Sequence, residues 1–267
     1  MTQSEYRSDP AISRSELNVL RELTPLHFKY AMEHKEDAES LALLEGRAAH
    51  KEILEPDTFV DEFTVAPQCD RRTKEGKEIY ARFLTEAEGK DVLTADSYQK
   101  IKDMGNAIRQ NEQAMKFLNG IHEQSFFWTD QETGEACKVR PDCITEVDGK
   151  KYIVDYKTTD SCVDGAFERS VRKYGYKFQA GMYREGVFQN TFEDYGFVFI
   201  AQEKKAPYAV RVYICNEDFI NEGYEQFRQT INLYHWCKTN DNRQGQSADS
   251  NFLSCFEFDR CILDCYK

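Results

Sequence analysis

The chain has 267 residues, of which 40% are hydrophobic and 31% are charged, a composition typical of a soluble globular protein with a substantial core. It contains no run of eighteen apolar residues and no apolar N-terminal segment, so we expect neither a membrane span nor a secretory signal, and we predict a cytoplasmic protein. The net charge of −12 excludes a chain that is basic overall, although basic residues still form local clusters.

Helical patterns dominate the first 120 residues. A capping box at Ser13–Glu16 predicts one helix start, and Thr24 followed by proline predicts another. A further helical pattern is expected to end at Pro56. The predicted helices run from Ser13 to about Leu23, from Thr24 onward, and over about 39–55, 75–88 and 95–118, with an irregular stretch at 57–73.

From about His122 the hydrophobic pattern changes to that of strands. Asp148-Gly149 is a strong hairpin signal, so the strands on either side of it are expected to pair in antiparallel fashion. The predicted fold is α/β (mixed α+β), with a central mixed five-stranded sheet flanked by helices. The predicted strands are 122–128, 137–147, 150–158, 195–202 and 208–215, and the predicted helices are a helical region at 164–190 and one helix at 216–238.

We interpret residues 1–267 as a single domain. It comprises a mainly helical part at 1–120, a part with the sheet and its helices at 121–238, and a mobile tail that contains cysteines at 239–267. Nine cysteines are present, and most are expected to be free thiols in a reducing compartment.

The predicted hairpin brings two carboxylates together. With Asp148-Gly149 as a two-residue turn, Asp142 lies directly opposite Asp155, and opposed side chains share one face of the sheet. Their repulsion would be offset by a divalent cation, and two oxygen ligands suit Mg²⁺. Lys157 shares the face of Asp155. The alternative is a cross-strand salt bridge among exposed charges, and a bulge would separate the two carboxylates.

Two further motifs flank the hairpin. Gly46 and His50 form G-x-x-x-H on a predicted helix, and Gln179 and Tyr183 form Q-x-x-x-Y, whose spacing places both side chains on one helix face. Taken alone, a helical histidine is more often a core or capped residue than a ligand. Gln179 and Tyr183 alone would be solvated polar positions.

The order G-x-x-x-H, R-P-D, D-x-K and Q-x-x-x-Y resembles the PD-(D/E)XK nuclease superfamily. It is similar to the RecB-type and lambda-exonuclease-like branch, and most of all to the RecE (exonuclease VIII) nuclease domain. The resemblance covers about residues 12–236. It is carried by the stretches "ISRSEL", "LEGRAAHKEILEPDTF", "VAPQCDRRTKEGKE", "VRPDCI" and "DYKTT".

The resemblance implies roles for individual residues. Lys157 would orient the attacking water, and Gln179 and Tyr183 would orient the lysine or contact the DNA backbone. The implied metal ligands are His50, Asp142, Asp155, the backbone carbonyl of Tyr156 and, on the strand before the hairpin, Glu123. The candidate DNA-binding residues are Arg71, Arg72 and Arg140, of which the first two are expected to grip phosphate because guanidinium binds it in bidentate fashion.

The implied activity is that of a 5′-to-3′ double-stranded DNA exonuclease that requires Mg²⁺ or Mn²⁺. Such enzymes release 5′-mononucleotides and leave a 3′ single strand for phage or prophage recombination. The implied partners are duplex DNA ends, a RecT-like single-strand annealing protein and copies of the same chain in a ring-shaped tetramer.

Two alternatives remain. One is an iron–sulfur nuclease of the CRISPR-associated or helicase-linked type. It is disfavoured because no cysteine precedes Cys69 and because the cysteines of the tail, Cys255, Cys261 and Cys265, lack the tight spacing of such clusters. The other is a module that binds DNA ends without catalysis, against which stand the intact Asp142, Asp155 and Lys157.

Overall fold

The computed structural model describes residues 1–34 and 40–244, and many of its helices begin where the sequence provides capping side chains. Ser13 and Thr24 both accept a backbone N–H of the first helical turn that follows them, and Ser40 does the same for the helix that ends before Pro56. The helices are α1 (Gln3–Ser8), α2 (Arg14–Glu22), α3 (Pro25–Glu33), α4 (Leu41–Leu54), α5 (Phe59–Glu62), α6 (Lys74–Glu86), α7 (Ala95–Arg109), α8 (Glu112–Leu118), α9 (Asp164–Lys173), α10 (Tyr176–Thr191) and α11 (Glu217–Gln244).

The strands form three sheets. They are β1 (Ile12–Ser13), β2 (Phe63–Val65), β3 (Asp91–Leu93), β4 (Ile121–His122), β5 (Phe126–Thr129), β6 (Ala136–Val139), β7 (Cys143–Val147), β8 (Lys150–Thr159), β9 (Gly196–Glu203) and β10 (Val210–Ile214). The central sheet has the order β10-β9-β8-β7-β4, in which β8 and β9 are parallel and the other pairs are antiparallel. The predicted mixed five-stranded sheet is therefore confirmed.

The turn between β7 and β8 has the predicted register. Asp148 and Gly149 both have positive φ, 52° and 74°, as a two-residue type I′ turn requires, and Val147 pairs with Lys150. This register continues to the pair Cys143–Val154 at the other end of the hairpin. Asp142 therefore reaches the level of Asp155 and Tyr156.

Helices cover both faces of the central sheet, so alternate residues of its strands enter different cores. Ile153 and Phe199 pack on the side of α10 and α11, whereas Val154, Tyr156 and Ile200 pack on the side of α4, α7 and α8. Burying one such side chain contributes about 1.5–3 kcal/mol to the free energy of folding. The two layers bring α4 and α10 to opposite sides of β8.

Several predicted boundaries were wrong. The stretch 95–118 forms two helices, because Asn111 accepts the Ala114 N–H and starts α8. The predicted strands 122–128 and 137–147 each divide, since Glu123 has a positive φ of 53° and Pro141 has no N–H for a ladder. The halves on either side of the intervening turn, β5 and β6, join β1 in a separate three-stranded sheet.

Other elements were not predicted or differ in length. α1, β2 and β3 were missed, and part of the stretch 57–73 expected to be irregular is ordered as α5 and β2. The last helix was expected to end at 238 but continues to Gln244. The remainder of the predicted mobile tail, 245–267 with Cys255, Cys261 and Cys265, lies outside the described residues. None of the helices in the described ranges is long and apolar enough to cross a membrane.

Candidate active site

The end of the β7–β8 hairpin brings Asp142 against β8. Asp142 directly precedes β7, and its Oδ2 accepts a hydrogen bond of 2.7 Å from the backbone N–H of Tyr156. Asp142 was predicted to lie within a strand but lies just before β7. Its side chain therefore accepts the N–H of the neighbouring strand β8 where β7 offers no backbone partner. Both carboxylates line the same cleft, and Asp155 lies near enough to raise the pKa of Asp142.

Asp155 is buried on β8 and its two oxygens have different partners. Gln179 of α10 donates from Nε2 to Oδ1 at 2.5 Å, and the Lys157 ammonium lies 2.6 Å from Oδ2. The side chain of Asp155 is 3% exposed and that of Lys157 is 20% exposed. Gln179, which was expected to orient the lysine or contact DNA, donates to the carboxylate that pairs with Lys157, and its predicted role stays a prediction.

His50 and Glu123 complete a cluster with Asp142. One ligand atom from each of these three side chains lies within 4.8 Å of the other two. The His50 Nδ1 is 3.5 Å from Asp142 Oδ2, and its ring packs edge-on against the ring of Tyr156. Glu123 follows β4 rather than lying on a strand as predicted, and its left-handed backbone turns the carboxylate towards the cluster. Four segments far apart in the sequence thus converge here.

The electrostatics of this cluster favour uncharged forms. Burial, followed by repulsion from Asp155 and Glu123, raises the pKa of Asp142 well above its usual value. Burial also raises the pKa of Glu123, although Arg140 opposes this. Burial and the nearby Lys157 lower the pKa of His50 to about 4, so this imidazole is neutral at pH 7 and its contact with Asp142 is not an ion pair.

The residues present fit a hard divalent cation. Carboxylate oxygens suit Mg²⁺ and Mn²⁺, a neutral imidazole is a ligand that transition-metal ions favour, and a cation would relieve the repulsion between the carboxylates. Gln179 Oε1 is buried and accepts no hydrogen bond within the described ranges, and the buried Asp155 Oδ2 has the Lys157 ammonium as its neighbour at 2.6 Å. His50, Glu123, Asp142 and Asp155 would hold such an ion. A ligand role for the Tyr156 carbonyl stays a prediction.

These residues lie in a cleft with a volume of 1410 Å³. Gln179 and Tyr183 both line it, so their predicted common helix face does point towards the site. The wall formed by α1 and by the start of α2 was not foreseen from the sequence. The unpredicted residues that line the cleft include Tyr6 and Arg14 of this wall and Lys138 of β6. The Thr2–Glu5 capping box could have indicated α1, but no local signal indicates where α1 packs.

The three candidate DNA-binding arginines lie in two places. Arg140 lines the cleft, and its Nε donates to Glu123 Oε2 at 2.7 Å. Arg71 and Arg72 precede α6 and are not among the cleft-lining residues. Arg71 lies over the Tyr80 ring, and Arg72 donates to the Asp70 carboxylate at 3.0 Å. A phosphate-binding role for this pair therefore requires a surface outside the cleft.

The family of the chain follows from its sequence as a whole. The PDDEXK-like domain of unknown function (DUF3799) matches residues 13–254. The chain belongs to this family. Residues 13–254 of the PDDEXK-like domain include every candidate site residue named above. No curated protein matches the chain.

Solved structures support the same fold. The PDDEXK-like domain is similar to a protein from Eubacterium rectale described as "Putative exonuclease", with a TM-score of 0.63 and 17% sequence identity over 90% of this chain and 87% of the other. A second structure, described as SSO0001, has a TM-score of only 0.32 and 18% identity over 70% of this chain and 85% of the other. The fold is that of a PD-(D/E)XK nuclease.

Proposed function

We propose that this protein is a metal-dependent nuclease that digests double-stranded DNA from its 5′ ends and leaves 3′ single strands. The observation that carries the proposal is one cleft that holds the ligand-atom cluster of His50, Glu123 and Asp142 together with the pair Asp155–Lys157. The raised pKa of Asp142 supports it, because a buried carboxylate without enough compensating charge is expected where a cation binds.

Each side chain has a distinct part in phosphodiester hydrolysis. Gln179 holds the Asp155 carboxylate in one orientation through Oδ1, and Asp155 in turn holds the Lys157 ammonium beside the site. From there Lys157 would orient the attacking water and offset negative charge on the phosphate. A divalent ion bound by the four ligands would lower the pKa of that water and stabilise the leaving 3′-oxygen.

The finer parts of the proposal come from the resemblance to the RecE nuclease domain. They are the 5′-to-3′ direction, release of 5′-mononucleotides and a role in recombination by single-strand annealing beside a RecT-like protein. A ring-shaped tetramer, Mg²⁺ as the metal and a phage or prophage setting in the cytoplasm belong to the same proposal.

The test uses linear duplex DNA that is 5′-phosphorylated and labelled at either end, incubated with Mg²⁺ or with EDTA. We expect loss of the duplex from its 5′ ends only with metal, and an intact closed circular plasmid. Asp155→Ala should lower the cleavage rate by about 1000-fold, which corresponds to about 4 kcal/mol of transition-state stabilisation. Asp218→Ala is the matched control, since it removes an exposed carboxylate of α11 that does not line the cleft and should leave the rate nearly unchanged.

Two outcomes would contradict the proposal. Nicking of the circular plasmid would identify an endonuclease on the same fold. No cleavage by the unaltered protein under any divalent metal, with binding to DNA ends retained, would identify a binding module without catalysis.

A further inference from the structure

The exposed ring of Tyr174 is connected to Lys157 of the candidate active site through one intervening ring, that of Tyr176. The ammonium of Lys157 is 5.1 Å from the ring centroid of Tyr176, which is buried. Tyr176 in turn stacks on Tyr174 with the ring centroids 5.9 Å apart and the planes at 27°. Tyr174 is 46% exposed. The rings therefore connect the active site to an aromatic surface outside it.

The backbone beneath this exposed ring is held in place. The Arg14 guanidinium donates hydrogen bonds to the backbone carbonyls of Tyr174 and Gly175, which follow the end of α9. Gly175 has a left-handed backbone, with a φ of 64°, and starts α10. Tyr174 is thus a fixed platform between two helices rather than part of a long loop.

This platform has basic neighbours, since Lys173 lies over its ring and acts on Asp160 together with Lys204 and Lys205. The Lys173 ammonium lies 5.0 Å from the Tyr174 ring centroid. The backbone N–H of Lys204 donates to the Thr159 carbonyl, so the end of β9 lies beside the end of β8. We define the basic strip as Tyr174 together with Arg169, Arg172, Lys173, Lys204 and Lys205.

The strip carries more positive than negative charge in a chain whose net charge is −12. Two acidic side chains lie within it. Asp160 pairs with Lys204 at 3.0 Å, and Glu168 pairs with Arg172 at 3.6 Å. Both pairs are exposed, so each is weak and easily exchanged for a phosphate. Lys205 and Lys173 also lie near enough to Asp160 to lower the pKa of its carboxyl, after the larger effect of Lys204.

We propose that the basic strip binds a single strand of DNA next to the nucleotide in the active site, with a base stacked on Tyr174 and phosphates on the surrounding lysines and arginines. An exposed ring among cations is the arrangement by which proteins bind single strands, because every unpaired base offers a face for stacking. A duplex keeps its bases stacked within the helix and cannot use Tyr174 in this way. The inference rests on the proposed function and identifies where a separated strand would run.

The test is fluorescence anisotropy with a labelled single-stranded oligonucleotide and with a blunt duplex, in EDTA and in Ca²⁺. Tyr174→Ala should weaken single-strand binding about tenfold and Tyr174→Phe should weaken it less than about twofold, since the ring supplies the stacking. The double variant Lys204→Ser/Lys205→Ser should reduce the slope of log affinity against log salt by about 1.4.

Matched controls remove the same groups elsewhere on the surface. Tyr30→Ala removes an exposed tyrosine of α3, and Lys116→Ser/Lys150→Ser removes two exposed lysines of α8 and β8. We expect both to bind the oligonucleotide as the unaltered protein does. The strip is refuted if these controls weaken binding as much as the strip variants, or if Tyr174→Ala binds normally while its melting temperature shows a folded protein.

The same measurements separate this inference from the proposed function. If duplex DNA is not cleaved but single-strand binding depends on Tyr174, the nuclease proposal fails and the strip stands. If duplex DNA is cleaved but single-strand binding does not change in Tyr174→Ala, the proposal for the basic strip is refuted and the nuclease proposal is retained.

Discussion

Two clusters of buried charge in this molecule have opposite character. The first cluster joins the turn between β5 and β6 to α11. Asp130 of the turn pairs with Arg228 of α11, and Glu135 of the turn pairs with His235 and Lys238 of α11. Burial would raise the pKa of both carboxyls, but hydrogen bonds, chiefly from Arg228 to Asp130 and from Lys238 to Glu135, lower both pKa values instead. We call this the structural cluster.

The second cluster, at the cleft, has the opposite balance. Asp142 and Glu123 have raised pKa values although Lys157 and Arg140 lie nearby, because burial and mutual repulsion outweigh those cations. The structural cluster is complete within the chain, so its charges stabilise the fold. The cleft cluster has more buried negative charge than its own cations neutralise, and such an excess is expected where a cation binds.

The largest expected difference between the clusters is in stability without metal. Asp130→Asn leaves the buried Arg228 with weaker partners and should lower the free energy of unfolding by about 3 kcal/mol. Asp142→Asn keeps an oxygen for the Tyr156 N–H and removes repulsion, so stability should not fall. Urea unfolding in EDTA measures both values. Equal losses in the two variants would show that the clusters do not differ.

A divalent metal should stabilise the protein through the cleft cluster alone. At a concentration of Mn²⁺ about one hundred times its Kd, the free energy of unfolding should rise by about 2.7 kcal/mol. Thermal unfolding with and without Mn²⁺ measures the change. Asp142→Asn should abolish this stabilisation, and Glu135→Gln should retain it. Stabilisation that persists in Asp142→Asn would place the ion elsewhere.

The smallest expected difference is in pH dependence, and its sign distinguishes the clusters. The folded-state pKa of Asp142 is raised, so its contribution to stability is lost as pH rises from about 4 through that pKa. In EDTA, the stability of Asp142→Asn relative to the unaltered protein should therefore increase with pH, by about 1.4 kcal/mol per unit of pKa shift.

The structural cluster should behave in the opposite way. The folded-state pKa of Glu135 is lowered, so its stabilising contribution is present at neutral pH and is lost as pH falls through that pKa. Glu135→Gln should therefore be less stable than the unaltered protein at pH 7 and approach it in acid. Parallel pH curves for Glu135→Gln and Asp142→Asn, measured by urea unfolding, would contradict the comparison.

Sequence reasoning predicted the hairpin well because its signals are local. The turn residues set the register, and the register together with side-chain alternation brings Asp142 to Asp155 and Lys157. The helix starts at Ser13 and Thr24 were predicted for the same reason, since a cap lies within a few residues of the N–H groups it accepts.

The division of the longer strands could not be predicted from the same pattern. β5 and β6 lie between β4 and β7 in the chain and have strand-like sequences, and nothing in their hydrophobic pattern tells which sheet they join. The choice depends on β1, which pairs with β6 from more than a hundred residues away. Arg71 and Arg72 likewise had a sequence suited to phosphate, but their position relative to the cleft depends on how α6 packs.

The sequence by itself determined the types of ligand, their order and the local pairing of Asp142 with Asp155, because turn geometry and strand alternation act over a few residues. Only the tertiary structure decided that His50 and Glu123 reach the same point and that the pKa of Asp142 rises while that of Glu135 falls. The physical reason is that both burial and the balance of neighbouring charge are set by segments far apart in the chain, which meet only when the helices close over the sheet.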